Sequence, residues 1–596
     1  MNFINRTTQL RMRRTVRRRQ KQMEAAAEAA EKSFETDLIG RFDHLLKVKR
    51  FAFGWLLLAL LGIACTITQT LTLSAYYQTA EPTTGGIYNE GIVGTYSNAN
   101  PLFATGSVDT TVSRLLFAGL MKYNSHNQLV GDLASGYTVD KTGKHYVVKL
   151  QPNLTWQDGQ PLTAHDVVFT FHLIQNPDVG SPLLTSWQNI AINAPDKYTV
   201  TFDLPNVFSA FPYSLTTGIV PEHILSAVPA SQMRSEGFNT TSPVGAGPFA
   251  WQAIQVGTNA DPDKVVSLIA LKPFTSHQGG TPKLSGFVLH VFGSQSEMVR
   301  AFQRREIIAM AGLKEMPAEL KDKSDITSLS FPSTAAVMSF FKTSSGVLSD
   351  TQVRQALVQG ADTTTIIDGL GYGTRPVREP LLLGQLGYNA AYKQAAYNPA
   401  AANALLDQAG WARDTHGWRS KNGQQLSFQL YAEDTSENRR TATILAKNWR
   451  ALGANVTPVL QSLADFQTTL EFHNYDALLY GVSIGIDPDV FDYWDSSQAG
   501  VLSSLRLNFS EYKSGTADAS LEAGRTRLDP ALRAVKYKPF LAAWQSDAPA
   551  LGLYQPRFLY ATRGTIYGLD EHTLNVDADR YNSVSDWEIR TTKVTN

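Results

Sequence analysis

The stretch Leu154-Thr-Trp-Gln-Asp-Gly-Gln-Pro-Leu-Thr-Ala-His-Asp-Val-Val-Phe-Thr-Phe171 reads as a turn followed by a capped helix. Asp158-Gly159 is a turn pair: glycine takes positive φ without steric cost, and the aspartate side chain bonds the backbone ahead of it. Thr163 stands where a helix N-cap belongs. Asp166, three residues on, suits the positive end of the helix and approximates a capping box. Val167, Val168, Phe171 and Ile174 then fall on roughly one face, which predicts burial. Pro177 stops the helix soon after. Upstream, His145–Leu150 reads as a strand, so the unit is strand, turn and helix. The close grouping of Trp156, Asp158 and His165 is explained by that unit, with His165 an exposed helix residue.

Length and composition bound the rest. At 596 residues the chain is too long for one ordinary core, and two or more domains are expected. Lys+Arg and Asp+Glu both number 53. The overall basic excess usual in a nucleic-acid protein is therefore missing. The balance is uneven along the chain, because the first 21 residues hold eight Arg or Lys and no acid. The single cysteine, Cys65, excludes an intrachain disulfide without fixing a compartment.

Residues 1–50 form a basic leader. Arg11–Arg19 is strongly basic, and Glu24–Lys32 reads as an exposed helix. The basic run fits the cytoplasmic flank of a membrane span, with anionic lipid contact and nucleic acid as the other readings. Residues 51–80 carry no charge and are long enough to cross ~30 Å of hydrocarbon with some tilt. Lys47, Lys49 and Arg50 bound the start, so the chain beyond residue 81 is expected outside the cytoplasm. Processing is the alternative, since Gly62-Ile-Ala-Cys65 partly resembles a lipoprotein cleavage box.

The pattern Trp156-x-Asp158-Gly159-x-Pro161-Leu162-Thr163-Ala164-x-Asp166-Val167-Val168-Phe169 resembles the signature of the extracellular solute-binding proteins of family 5. These are the oligopeptide, dipeptide and nickel-type receptors of ABC importers. Further segments resemble the family in the expected order: Ile87–Gly94, Asn100-Pro101-Leu102, Val112–Leu120, Pro243–Phe249, Asp350–Leu357, Ala404–Trp411 and Asp547–Pro556. The resemblance runs from about residue 85 to about 570. It implies an α/β, two-lobed, periplasmic-binding-protein-like fold of the large oligopeptide-receptor type, with an insert domain and one N-terminal transmembrane helix. The expected division is a discontinuous first lobe at 85–125, 244–332 and 546–596, an insert at 126–243 and a second lobe at 333–545. Pro243–Phe249 is glycine-rich but lacks the Lys-Ser/Thr ending of a phosphate loop, so it reads as a crossover between domains.

No His-Glu-x-x-His, cysteine pair or Walker A sequence is present. With the resemblance, this points to a binding protein, not an enzyme, with neither cofactor nor metal. The resemblance implies a ligand held between closing lobes, lined by Thr105–Asp109 and by Tyr480–Asp489 ahead of Phe491 and Trp494. The candidate contacts are Ser107, Asp109, Tyr480, Gly481, Ser483, Asp487, Asp489 and Trp494. Peptide-binding relatives place an aspartate for the ligand's free amine at the position of Ile484. That departure points to a longer peptide, a modified peptide or another solute, and Asp487-Pro488-Asp489 is open to turn chemistry or amine recognition. Trp187, Tyr480, Tyr493 and Trp494 fit ligand stacking and core packing equally. The implied partners are a peptide-like solute and ABC permease and ATPase subunits; the chain is expected to be a monomer that binds no nucleic acid. Two other readings stand beside this one: a ligand-sensing receptor built on the same module, and an extracellular peptide-processing enzyme.

Overall fold

In the computed structural model, residues 6–34, 36, 49–257, 267–500 and 506–595 are described. Two compact units emerge: Pro82–Arg590, and the chain up to Glu81 together with the residues from Thr591. The smaller unit contains the helices Arg6–Phe34 and Lys49–Tyr77. The second is the one described helix long and apolar enough to cross a membrane, through its segment Phe53–Thr70.

The larger unit is built on sheets assembled from distant segments. A seven-stranded sheet runs in the order 326–332, 557–563, 309–313, 87–93, 286–292, 267–273 and 249–256. Its central strand Ile87–Val93 is parallel to both neighbours, and the other pairings are antiparallel. A six-stranded sheet runs in the order 375–376, 550–555, 335–341, 477–483, 427–433 and 455–461. Strand Ala550–Gln555 is hydrogen-bonded into this second sheet, opposite Ala335–Phe341. The chain therefore passes from this sheet back to the seven-stranded one at Pro556. The reason is local: Ala550–Gln555 is buried along its whole length, and prolines at 549 and 556 bracket it as one strand.

A four-stranded antiparallel sheet, in the order 134–139, 145–150, 199–203 and 191–196, forms the insert. The helix Ala164–Gln175 packs on it behind a complete capping box. Thr163 N–H donates to Asp166 Oδ2 at 2.8 Å, and Thr163 Oγ1 accepts from His165 N–H at 3.3 Å. Gly159 has φ +89°, as its turn requires. Val167, Phe171 and Ile174 are buried, but Val168 is half-buried. Thr170 completes the buried face, its hydroxyl donating to Asp166 O at 2.7 Å. Trp187 lies in the insert core, stacked on Phe171 at 3.9 Å, which excludes a ligand-stacking role for it in this conformation.

The glycines of Pro243–Phe249 serve close approach. A Cβ on Gly245 would fall 1.9 Å from Leu116 O, and one on Gly247 would fall 2.6 Å from the Leu116 carbonyl carbon. Gln157 ties this crossover to the turn of the insert. Its Oε1 accepts from Gly245 N–H at 2.9 Å, and its Nε2 donates to Phe249 O at 2.6 Å.

One buried group sets a pH dependence. Glu379 in the second lobe is fully buried, and burial pushes its carboxyl up from 4.5 to about 7. The folded chain then holds that proton more tightly than the unfolded chain. The stabilisation is complete below pH 4.5 and is lost as pH rises to about 7. We expect Glu379→Gln to flatten the fall in melting temperature across that window; an unchanged slope in thermal melts would refute the assignment.

Candidate functional site

The site is framed by the two places where the chain passes between sheets, Pro332–Ala335 and Gln555–Arg557. These crossings run side by side. Ser333 N–H donates to Pro556 O at 2.9 Å, and Gln555 Nε2 donates to Ser333 O at 2.6 Å. Thr334 O accepts from Ile484 N–H at 2.9 Å and from Gly485 N–H at 3.1 Å. Two short extended segments thus carry the backbone connection between the sheets, and they end against the strand Ala477–Ser483 and its following loop. Ile484 is buried in the second-lobe core, so its side chain offers a solute no charge or hydrogen bond.

The residues singled out in the sequence fall into two groups. Ser107, Gly481 and Ser483 are exposed, and Tyr480 is half-buried against Phe466 and Phe509. Strand Ala477–Ser483 pairs along its length with Ala335–Phe341, but its register with Ser427–Glu433 spans only Ala477 and Leu478. One edge of the strand from Leu479 onward is therefore outside that pairing. The other four residues are committed inside the protein. Asp109 accepts from Ser97 N–H at 2.8 Å and from the Ser97 hydroxyl at 2.5 Å. Asp487 takes both Nη atoms of buried Arg533 at 2.7 Å. Asp489 accepts from Arg525 at 3.0 Å, and Trp494 is packed on Phe340 and Trp544 in the core. The spacing Asp487-Pro-Asp489 looks like local turn chemistry, yet its partners come from helices 36 and 46 residues downstream, which no local pattern announces.

Gly481-Val-Ser-Ile-Gly485 also has the Gly-x-Ser-x-Gly spacing of a hydrolase nucleophile turn. Its context differs from that motif. The strand leads into a loop rather than a helix, and Ser483 lacks a positive φ. Among the described residues no histidine bonds its hydroxyl; its carbonyl instead accepts from Tyr493 OH at 2.8 Å.

The lobes approach each other on the insert side. Burial raises the pKa of the Tyr213 hydroxyl in the insert, and the charge of Asp487 adds to the rise. Arg525 lies 4.1 Å from the Phe491 ring and 5.2 Å from the ring of Phe208 in the insert, and Ser209 N–H donates to Arg525 O at 2.9 Å. On the first-lobe side, a cavity of about 190 Å³ is lined by Arg114, Lys122, Asp132 and His277 among others. Arg114 is bound to Asp579 at 2.7 Å and Lys122 to Asp132 at 3.2 Å. His277 Nδ1 faces Ala246 O at 3.2 Å, and burial lowers the pKa of its ring. These polar residues carried no signal beyond their type in the sequence. Among the described residues, no three or more His, Cys, Asp or Glu gather as a metal-binding group.

The model of the bacterial extracellular solute-binding proteins, family 5 middle, matches residues 128–501. The chain is 24% identical over 550 residues to the oligopeptide-binding protein AppA of Bacillus subtilis, covering 89% of this chain and 97% of that one. The solved structure of that protein with a nonapeptide superposes with a TM-score of 0.67 at 22% identity, covering 85% and 100%. NikZ from Campylobacter jejuni, solved with Ni(L-His), gives a TM-score of 0.70 at 22% identity, covering 84% and 99%.

Proposed function

We propose that this chain, which belongs to the bacterial extracellular solute-binding proteins of family 5, is the membrane-anchored receptor of an ABC importer and captures a peptide or peptide-like solute between its lobes. The observation that carries this reading is the pair of hydrogen-bonded crossings at 332–335 and 555–557. Two adjacent antiparallel segments of chain bend together more easily than a packed core deforms, which is the construction of a hinge. Closure about them brings the edge of Tyr480–Ser483 toward the first lobe. Backbone groups on that edge are suited to an extended peptide, which satisfies its own amides by adding to a strand.

In this reading Ser107, Tyr480, Gly481 and Ser483 meet the solute, while Asp109, Asp487, Asp489 and Trp494 hold the walls in shape. No free carboxylate is left among them for a ligand amine, and Ile484 adds none. The solute is accordingly a longer or amine-modified peptide, gripped through its backbone rather than its terminus. The segment Phe53–Thr70 anchors the receptor, with the Pro82–Arg590 unit outside the cytoplasm, and a two-subunit permease with ATPases receives the solute.

Native mass spectrometry of purified residues 85–596 tests the ligand class. A ladder of bound peptide masses is expected; one non-peptide mass would overturn the peptide reading. Turnover of added peptides by the same preparation would overturn the receptor reading in favour of an enzyme. The intact mass of the mature chain tests the anchor, since loss of residues 1–64 would show processing at Cys65.

A further inference from the structure

The helix Arg6–Phe34 is left unexplained by solute binding, and the anchor explains only part of its charge. The orientation of a span is set by basic residues within roughly 15–20 positions of its ends. Arg41, Lys47, Lys49 and Arg50 already supply those. Arg11–Lys21 lies outside that window, yet it carries seven Arg or Lys and no acid. Because the whole chain is balanced at 53 of each sign, this concentration leaves an acidic excess over the remainder. The remainder would be repelled by an anionic surface; this segment would be drawn to one.

The helix also has two faces. At about 100° per residue, Val16, Met23, Ala27 and Ala30 share one narrow strip. Over residues 11–21, Arg13 and Arg19 border the strip on either side and Arg11, Arg14, Arg17, Arg18 and Lys21 fan across the opposite face; beyond residue 23 the polar side carries Glu24, Glu28 and Glu31 instead. Val16 and Met23 are 64% and 70% exposed, so the smaller unit does not cover the strip. An apolar line edged by arginines fits a lipid–water interface, where the long side chains reach headgroup phosphates while the strip meets the acyl boundary. A nucleic-acid surface needs the cations but not the strip.

We propose that Arg11–Lys21 binds the anionic phospholipid surface of the leaflet at which the span begins, laying the helix along the membrane. The inference rests on the anchor reading. Tethering by the span keeps the helix within reach of that surface, and each basic residue close to it strengthens the contact roughly fivefold. High salt should weaken it, since screening shortens the reach of exposed charges.

The test uses the full chain with Met23→Cys in a Cys65→Ser background, labelled with an environment-sensitive dye and inserted in lipid nanodiscs. The discs are phosphatidylcholine alone, or phosphatidylcholine with an equal part of phosphatidylglycerol. A blue shift is expected only with phosphatidylglycerol. Molar salt should abolish it, as should Arg13→Gln, Arg17→Gln, Arg18→Gln and Arg19→Gln combined. Insertion into the discs reports on the span, and the dye reports on the helix, so the two readings fail separately. Equal spectra in both lipids would overturn the proposal. So would an RNA oligonucleotide producing the same shift in phosphatidylcholine discs.

Discussion

Arg580→Ala is expected to destabilise the Pro82–Arg590 unit by about 3–5 kcal/mol, because it leaves a buried carboxylate without its cation. Glu90 and Arg580 are both fully buried, with Arg580 Nη2 at 2.7 Å from Glu90 Oε1. The guanidinium also donates to Tyr581 OH at 2.5 Å and to Asp577 O at 2.6 Å, and it lies 4.2 Å from the Tyr581 ring. Tyr560 and Tyr581 both donate to the Glu90 carboxylate. The cluster joins the central strand Ile87–Val93 to the strand Arg557–Arg563 and to the C-terminal segment, so it fastens three distant pieces of chain. Loss of Arg580 leaves only neutral donors around Glu90, deep in a medium of low polarisability. Urea unfolding followed by circular dichroism should show a lower midpoint at unchanged slope. Removing both charges, with Arg580→Met and Glu90→Gln, should recover much of the loss. A single variant as stable as the parent would show that the pair contributes nothing net.

That cluster marks where sequence reasoning stops. Local devices were legible because their partners are near in the chain: Thr163 and Asp166 three residues apart, and Asp158-Gly159 adjacent. The family pattern extended that legibility to the α/β fold. Glu90 and Arg580 are 490 residues apart, and nothing in either neighbourhood announces the other. The same holds for Asp487 with Arg533 and Asp489 with Arg525. An acidic pair beside proline reads alike whether it faces a ligand or an arginine on another helix. Trp187 and Trp494 were ambiguous for the corresponding reason, since an aromatic ring suits a cleft and a core equally until its neighbours are known. The prolines at 549 and 556 bracket Ala550–Gln555 as a strand, but nothing local says which sheet receives it.

Phe208→Ala is expected to weaken solute binding roughly 5- to 30-fold, by removing about 1–2 kcal/mol from the closed state. Arg525 is held within the second lobe by Asp489 and by the ring of Phe491, and Phe208 approaches the same guanidinium from the insert. If the lobes open about 332–335 and 555–557, the Phe208 contact and the Ser209–Arg525 hydrogen bond exist only in the closed form. A contact made in one of two conformations biases their populations by its own free energy, whatever the affinity of the site itself. The insert then acts as a latch, a role its sheet and core do not otherwise suggest. Phe208 is the discriminating position. Arg525→Ala would also strand Asp489, whose carboxyl burial already raises, and so would damage the second lobe irrespective of closure. The measurement is titration calorimetry with the solute identified by native mass spectrometry, alongside small-angle scattering of the solute-free protein. The variant should release solute faster and scatter as a more open particle, while its solute-free melting temperature stays close to the parent's. Unchanged affinity and unchanged scattering together would show that closure is governed by the hinge and the solute alone, with the insert a passenger on the first lobe.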